Sequence, residues 1–363
     1  MPGSDSRSLR PAGLAVLSAI LFGLSAPLAK LLLRDIPPVA LAGLLYLGVF
    51  VGLALVSAAR RLGAKPDAGR PARAAELERR DFPWLAGAIL AGGVAGPILL
   101  MLGLRRTSGF AGSLLLNFEA AATAIIAVLV FREHVGRRVW LGLILITAGG
   151  VGLTWTPAGG RFDLGGPALV FLAMVCWGID NNLTRQIAHK DPVSIARYKG
   201  AIAGSTSLVL ALILGGALSP RPAWLLGLLV GALSYGLSLV LFIRALAGLG
   251  ASRTGAIFSL GPFVGALVSL PLLGEPLRWL TAGAGLVMAG GLYFVVSEQH
   301  VHLHVHHPVK HAHPHRHDDL HHDHPHDGPI PGSHSHEHEH LELGHEHLHW
   351  PDPAHRHGHR RER

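Results

Sequence analysis

Residues 108–131 read SGFAGSLLLNFEAAATAIIAVLVF, an apolar run that contains one charged residue, Glu119, near its middle. A helix rises about 1.5 Å per residue, so crossing roughly 30 Å of hydrocarbon takes about 20 residues. The run is long enough for such a crossing. It therefore predicts a membrane-spanning helix with an ionisable group inside the bilayer.

The same pattern, an apolar run followed by a short charged or Pro/Gly break, recurs along most of the chain. The runs are 12–33, 38–59, 83–103, 108–131, 139–156, 166–184, 193–217, 223–244, 251–273 and 278–296. A large soluble helical core would need polar faces, and runs such as 207–217 and 284–296 have almost none. We predict an all-α integral membrane protein with ten transmembrane helices.

Composition agrees with this class once the chain is divided. Charged residues make up 15% of the chain, against roughly 25% in soluble domains. The net charge of +8 combines an acidic segment, 298–363, with a strongly basic remainder. The basic residues are those expected of cytoplasmic loops, so we predict no nucleic-acid partner. The single Cys excludes an intrachain disulfide, and the first apolar run is too long for a cleavable signal peptide.

Orientation follows from the positive residues in the loops. With the N-terminus inside, the inner loops and the N-terminal arm carry sixteen Lys and Arg residues, and the outer loops carry six. We therefore expect both termini in the cytoplasm and the protein in the inner (plasma) membrane.

The two halves of the chain resemble each other. Phe22-Gly23 and Trp177-Gly178 each open a polar or Pro-interrupted stretch, and LVFRE at 129–133 matches PLLGE at 271–275. Each half holds five runs, so the second copy is inserted upside down. Such inverted repeats place a substrate site at their interface, near the membrane midplane. The predicted organisation is an N-terminal arm at 1–11, repeats at 12–157 and 158–297, and a tail at 298–363.

These features, with the LRRTS turn at 104–108 and a Gly-rich fifth run after Glu133 and Glu275, carry a family resemblance. The sequence resembles an EamA-type transporter of the drug/metabolite transporter superfamily. The resemblance implies ten helices in two inverted repeats and alternating access without ATP, but it implies no substrate. Relatives often carry an Arg in the second helix, and 38–59 has none.

Ionisable and polar residues inside the runs are the candidate path, because charges in a bilayer are costly. Glu119 is the strongest candidate and suits proton coupling. Its counterpart in the second half is Gly261, and Pro262 is expected to open that helix locally. The full predicted path is Asn117, Glu119, Asp180, Asn181, Asn182, Ser234, Tyr235, Ser259 and Pro262.

For Asp180 to Asn182 two interpretations stay open: they line the path, or the helix ends near residue 179 and they lie at the interface. Asp180 and Thr184 share one helix face. Arg197, Tyr198 and Lys199 are expected to anchor a helix at the interface. Helix-end or gating roles are predicted for Lys30, Glu133, Arg185 and Glu275, and close helix packing is predicted for Gly142, Gly149, Gly283 and Gly290.

About every third residue of the tail is His, with Asp and Glu interleaved. We expect disorder without metal and binding of divalent transition metals (Zn, Ni, Co or Cu), with no cofactor required for transport. The predicted ligands are His302, His304, His306, His311, His313, His315, His317, His321, His322, His324, His326, His334, His336, His338, His340, His345, His347 and His349.

The favoured function is a secondary transporter, and more specifically an exporter, of a small organic metabolite or drug, with proton coupling and a metal-binding tail. One alternative is a divalent transition-metal exporter that captures metal on the tail. Another is a membrane-anchored metal store or sensor. The runs hold no Ser-His dyad, paired aspartates or HExxH motif, so we predict no enzyme. The expected partners are a solute and lipids, with a homodimer left open.

Overall fold

The computed structural model divides the chain into two compact units, Met1–Ser297 and Glu298–Arg363. It describes every residue except 1–5, 64–76, 132–135, 157–160, 163, 189, 216–221, 250, 298–299, 307–308, 316–333, 341–342 and 350–363.

Within its described residues the first unit is helical apart from one short strand pair. Its α-helices are α1 Ser6–Gly23, α2 Ser25–Leu32, α3 Pro38–Gly63, α4 Phe82–Ala88, α5 Gly96–Arg106, α6 Gly109–Leu115, α7 Phe118–Phe131, α8 Arg137–Leu153, α9 Gly165–Arg185, α10 Pro192–Ile213, α11 Pro222–Val230, α12 Ser238–Leu249, α13 Ala251–Phe258, α14 Gly261–Leu273 and α15 Trp279–Val296. A 3₁₀ turn, Arg79–Asp81, precedes α4, and two short strands, β1 Trp155–Thr156 and β2 Arg161–Phe162, pair between α8 and α9.

Each of the ten predicted runs coincides with helical structure, and several runs form two joined helices. Six helical stretches among the described residues are long and apolar enough to cross a membrane. They are Pro11–Leu32, Pro38–Ala58, Arg79–Arg106, Gly109–Val130, Pro222–Ala245 and Thr254–Leu273; Trp279–Val295 is a shorter apolar helix. Large apolar side chains are exposed on these helices, Leu129 and Leu286 among them, as expected of a surface that faces lipid.

Two helices, α6 and α10, begin where a side chain supplies hydrogen-bond acceptors. Ser108 accepts a hydrogen bond from the Ala111 amide at the start of α6. Asp191 accepts hydrogen bonds from two amides at the start of α10, where Pro192 is the first helical residue. Pro27 cannot donate to the carbonyl of Gly23, and α1 gives way to α2 at that point. These are ordinary capping and breaking signals.

Helices α8 and α15 pack with very close backbones. A Cβ on Gly142 would lie 2.6 Å from the carbonyl oxygen of Gly291, and a Cβ on Gly291 would lie 2.7 Å from that of Gly142. The packing prediction is right for Gly142 and Gly149 and wrong for Gly283 and Gly290, where an added Cβ would have nothing within 4 Å. Gly291 makes the contact because α15 is rotated about its axis so that this residue faces α8. The repeat spacing does not specify that rotation.

Two π-helical segments interrupt the straight helices at equivalent places in the two halves. Ile89–Ala95 joins α4 to α5, and Gly231–Leu237 joins α11 to α12, 142 residues later. The spacing is the one that relates LVFRE to PLLGE. The repeat seen in the sequence is therefore also present as a repeated helix irregularity. Segments of this kind are frequent at functional sites.

The second unit contains four strands, β3 His300–His306, β4 Val309–His315, β5 His334–His340 and β6 Leu343–His349. Strand β3 pairs with β6, and β4 pairs with β5, both antiparallel. That the tail is disordered without metal stays a prediction. Histidine alternates with a second residue through β3 and β5, and a period of two favours extended backbone.

Candidate functional site

The site is centred on the face of α9 that carries Asn181. Exposed Leu172 and Ile179 mark one face of α9, and seven residues bring a helix back to nearly the same direction. Asn181 is also exposed but lies two residues beyond Ile179, about 200° around the helix. Its side chain therefore points away from Leu172 and Ile179, to the side where α9 packs against α7 within the bundle.

Glu119 lies beside Asn181. The Asn181 amide nitrogen donates to the Glu119 Oε1 atom at 2.9 Å and to the Thr123 Oγ1 atom at 3.1 Å. Glu119 is half-buried in the first turn of α7, directly after a break, rather than in the middle of an unbroken helix as the run suggested. The arrangement joins α7 to α9 through a carboxylate that faces the interior.

Asp180 is buried and forms an ion pair with Lys199 of α10. The Lys199 Nζ atom lies 2.6 Å from both carboxylate oxygens, and the Thr184 hydroxyl donates to one of them at 2.9 Å. The preceding helix thus presents a buried carboxylate to Lys199, a contact that the sequence did not predict, and anchoring of α10 at the interface stays a prediction. Helix α9 also continues to Arg185, so the interpretation in which it ends near residue 179 is excluded.

Gly92, in the first π-helical segment, allows Asp180 to approach. A Cβ at this position would overlap the Asp180 carboxylate. The Gly92 carbonyl accepts two hydrogen bonds, from the Tyr46 hydroxyl at 2.6 Å and from the Trp177 indole at 2.9 Å. One π-helical turn thus ties together α3, α9 and the ion pair.

The second π-helical segment holds Ser234, which is buried, and Tyr235. The ring of Tyr235 lies 6.4 Å from that of Tyr46 and 5.9 Å from that of Phe22. The hydroxyl of Tyr46 donates to the Gly92 carbonyl beside Asp180, so its ring connects Tyr235 to the ion pair. The predicted residues of both halves therefore belong to one region.

Breaks divide the two helical stretches that were predicted to carry Asn117 and Ser259. Helix α6 ends at Leu115 and α13 ends at Phe258, each followed within two residues by a new helix. Pro262 has no N–H, so it cannot donate to the Phe258 carbonyl, and the predicted local opening is present. Both breaks lie in stretches apolar enough to cross a membrane.

A second polar group lies where α5 meets α6. The Lys30 Nζ atom donates to the carbonyl oxygens of Leu104 and Thr107, at 2.8 Å and 2.5 Å. The Glu275 carboxylate accepts hydrogen bonds from the amides of Gly109 and Phe110, at 2.6 Å and 2.8 Å. The two residues predicted to act at helix ends thus hold opposite ends of one turn.

Cavities of about 250 Å³ and 270 Å³ lie at this turn, and Glu275 lines both of them. Lys30, Arg34 and Arg105 line the larger one, and Arg106 and Arg278 line the other. This end of the bundle is therefore strongly basic.

The remaining predicted residues have different positions. The Asn182 amide donates to the carbonyl oxygens of Gly178 and Thr123 and is buried, a packing contact between α9 and α7. Arg185 is the last residue of α9. Glu133 and five of the predicted histidines, His317, His321, His322, His324 and His326, lie outside the described residues.

The described residues contain no group of three or more His, Cys, Asp or Glu side chains that could hold a metal ion. In the tail, the strand register sets histidine opposite histidine. The pairs are His300 with His349, His302 with His347, His304 with His345, His311 with His338, His313 with His336 and His315 with His334.

Lys199, Tyr46, Trp177 and Gly92 belong to the site and were not predicted as part of it. Lys199 was assigned to the interface from its place at the start of a run. A polar aromatic residue at position 46, inside an apolar run, was the available signal for Tyr46. Nothing in the sequence marks Gly92 apart from other glycines.

Comparison with known proteins places these observations in a family. The model of the EamA-like transporter family matches residues 9–155 and 164–297. An uncharacterized transporter of Methanothermobacter thermautotrophicus is 29% identical over 291 residues, which are 77% of this chain and 84% of the relative. The uncharacterized transporter YyaM of Bacillus subtilis is 26% identical over 209 residues, 53% of this chain and 67% of that protein.

A further relative is the uncharacterized protein PA1977 of Pseudomonas aeruginosa, 32% identical over 189 residues, 52% of this chain and 65% of the relative. One solved crystal structure superimposes with a TM-score of 0.55 at 17% identity, covering 78% of this chain and 95% of the other. At that identity the likeness concerns the fold alone.

Proposed function

Since the chain belongs to the EamA-like transporter family, we propose that it is a secondary transporter that exports a small organic solute through the site around Glu119. The carrying observation is the Asn181–Glu119–Thr123 cluster, which is polar, faces the interior and lies beside a helix break. A carboxylate in this position can bind either a proton or a solute, as coupling requires. Alternating access would expose it to each side in turn.

The proposed architecture is ten membrane crossings in two inverted repeats, with both termini in the cytoplasm of a cell whose inner (plasma) membrane holds the protein. Its support is the recurrence of the π-helical segment after 142 residues and of the helix break after 143 residues. Contacts between loops add to it. Lys190, after α9, pairs with Glu78 and Asp81, before α4. With ten crossings, the loops that carry these residues lie on the same side of the membrane, so the contact is consistent with that number.

The test is transport by purified protein in proteoliposomes loaded with an isotope-labelled small-metabolite extract. We expect the protein to release particular compounds that protein-free liposomes retain, and a pH gradient to drive their accumulation. Glu119→Gln should abolish gradient-driven accumulation and keep exchange. A Glu78→Gln variant, outside the bundle interior, is the matched control. Full accumulation by Glu119→Gln would reject proton coupling at this residue, and release of nothing would reject transport.

For the tail we propose binding of divalent transition metals. The support is the register, which opposes histidines at three positions in each strand pair, because imidazole is a preferred ligand of zinc, nickel, cobalt and copper. Titration with zinc should saturate several sites in the full chain and none after deletion of 300–363. Metal binding that survives the deletion would place the sites elsewhere.

A further inference from the structure

Asp180, Lys199 and Glu119 do not balance in charge. Lys199 is held by both oxygens of Asp180, which neutralises the pair. Glu119 accepts a hydrogen bond from the neutral Asn181 amide and, within the described residues, forms no ion pair of its own. Among these three groups the Glu119 carboxylate, when ionised, is therefore the charge left without a partner, and Lys199 is already engaged.

Hydrogen-bond geometry adds acceptors on the same side. The Asn181 amide nitrogen is used by Glu119 and Thr123, so its oxygen is the atom left for a ligand among the described contacts. The Glu119 carboxylate itself has three more lone-pair directions than Asn181 uses. The site therefore offers hydrogen-bond acceptors to a ligand. A ligand group that donates hydrogen bonds matches it.

Aromatic rings continue from Tyr46, whose hydroxyl bonds to Gly92 beside Asp180 and whose ring lies 6.4 Å from that of Tyr235. The ring of Phe22 lies 5.9 Å from that of Tyr235, and the ring of Phe258 lies 5.0 Å from that of Phe22. Ring faces attract cations and also accept apolar groups. An anion gains from neither the rings nor the carboxylate.

We propose that the solute is a monovalent organic cation: an amine whose ammonium group binds Glu119 and Asn181, and whose apolar part packs on the aromatic rings. This inference rests on the proposed function, since it assigns a solute class to the same site. It also gives the Asp180–Lys199 pair a role, because a free lysine facing Glu119 would compete with the ammonium group.

The test compares three probes with nearly the same hydrocarbon: phenethylammonium, phenethyl alcohol and phenylpropanoate. Their binding to the purified full chain in detergent is measured by calorimetric titration. We expect the cation to bind at least about tenfold more tightly than the alcohol or the acid, the effect of one charge-assisted hydrogen bond. Equal or tighter binding of the alcohol or the acid overturns the inference.

Variants distinguish binding of the probe at Glu119 from its uptake into the detergent micelle. Glu119→Gln should weaken phenethylammonium binding about tenfold or more, and Glu78→Gln should leave it unchanged. Unchanged affinity in Glu119→Gln overturns the inference, as does failure of phenethylammonium to bind the wild-type protein. Because binding is measured without a membrane gradient, metabolite release from proteoliposomes would survive either failure. The two proposals can therefore fail separately.

Discussion

Asn117 and Ser259 make the same hydrogen bond in the two halves of the protein. The Asn117 Nδ2 atom donates to the carbonyl oxygen of Leu114 at 2.9 Å, and the Ser259 Oγ atom donates to that of Ala256 at 2.7 Å. Each acceptor lies three residues before its donor, at the break of a helix. Side chains of different chemistry thus bond to equivalent carbonyls beside the two breaks.

We expect Asn117→Ala and Ser259→Ala each to lower the free energy of unfolding by about 1 kcal/mol, the usual worth of such a bond. Thermal unfolding in detergent measures the loss. Thr147→Ala is the control, because Thr147 bonds to the Leu143 carbonyl from the exposed face of an unbroken helix. If Thr147→Ala lowers the free energy of unfolding as much as the two variants do, the hydrogen bonds at the breaks stabilise the protein no more than one in an unbroken helix.

Gly92→Ala should abolish transport. The added methyl group would overlap the Asp180 carboxylate and displace it from Lys199. Solute release from proteoliposomes measures the effect, with Gly283→Ala as control, since nothing lies within 4 Å of a Cβ there. Wild-type transport by Gly92→Ala would show that transport does not depend on the close approach of the Asp180 carboxylate to residue 92.

Gly291→Ala should cost about 1–3 kcal/mol of unfolding free energy, the range for overpacking, because its methyl group meets the Gly142 backbone. Its neighbour Gly290 is open, so Gly290→Ala should be neutral or gain up to about 1 kcal/mol from helix propensity. Unfolding midpoints in detergent distinguish the two. Equal midpoints would contradict the observed rotation of α15.

Lys190→Gln should lower the unfolding midpoint over a defined pH range. The hydrogen bond with Glu78 raises the pKa of Lys190 above its ordinary 10.5, and the same bond lowers the pKa of Glu78 below its ordinary 4.5. The stabilisation is complete between these ordinary values. It is lost as the pH rises through the folded pKa of Lys190 or falls through that of Glu78.

Midpoints of wild type and Lys190→Gln across pH measure this difference. Arg80→Gln is the control, because the Arg80–Glu78 pair is largely exposed, with 75% and 53% of the side chains accessible, and such pairs contribute little. A difference that vanishes at neutral pH would contradict the prediction.

Glu275→Ala should accelerate amide exchange at Gly109 and Phe110 by about tenfold or more, because each amide loses a charge-assisted hydrogen bond. Hydrogen–deuterium exchange of the peptide that contains them measures the rate. Arg278→Ala is the control: Arg278 lines a cavity with Glu275 and makes no described bond to these amides. Unchanged exchange in Glu275→Ala would mean that the turn is held elsewhere.

The sequence by itself determined the helical class, the positions of the helical runs and the repeat, because burying backbone in lipid demands apolar runs of fixed length. It also singled out Glu119, Asn117 and Ser259, since polar groups are rare in such runs. The Asp180–Thr184 bond followed from helix periodicity.

Only the tertiary structure decided which polar groups meet. Lys199 lies at the start of a run and looked interfacial, yet the packing of α9 against α10 gives it Asp180. The contact of Gly291 rather than Gly290 depends on a helix rotation of about 100°. Pairing across helices is set by side-chain packing between segments far apart in sequence, and a single chain's periodicity carries no information on that packing.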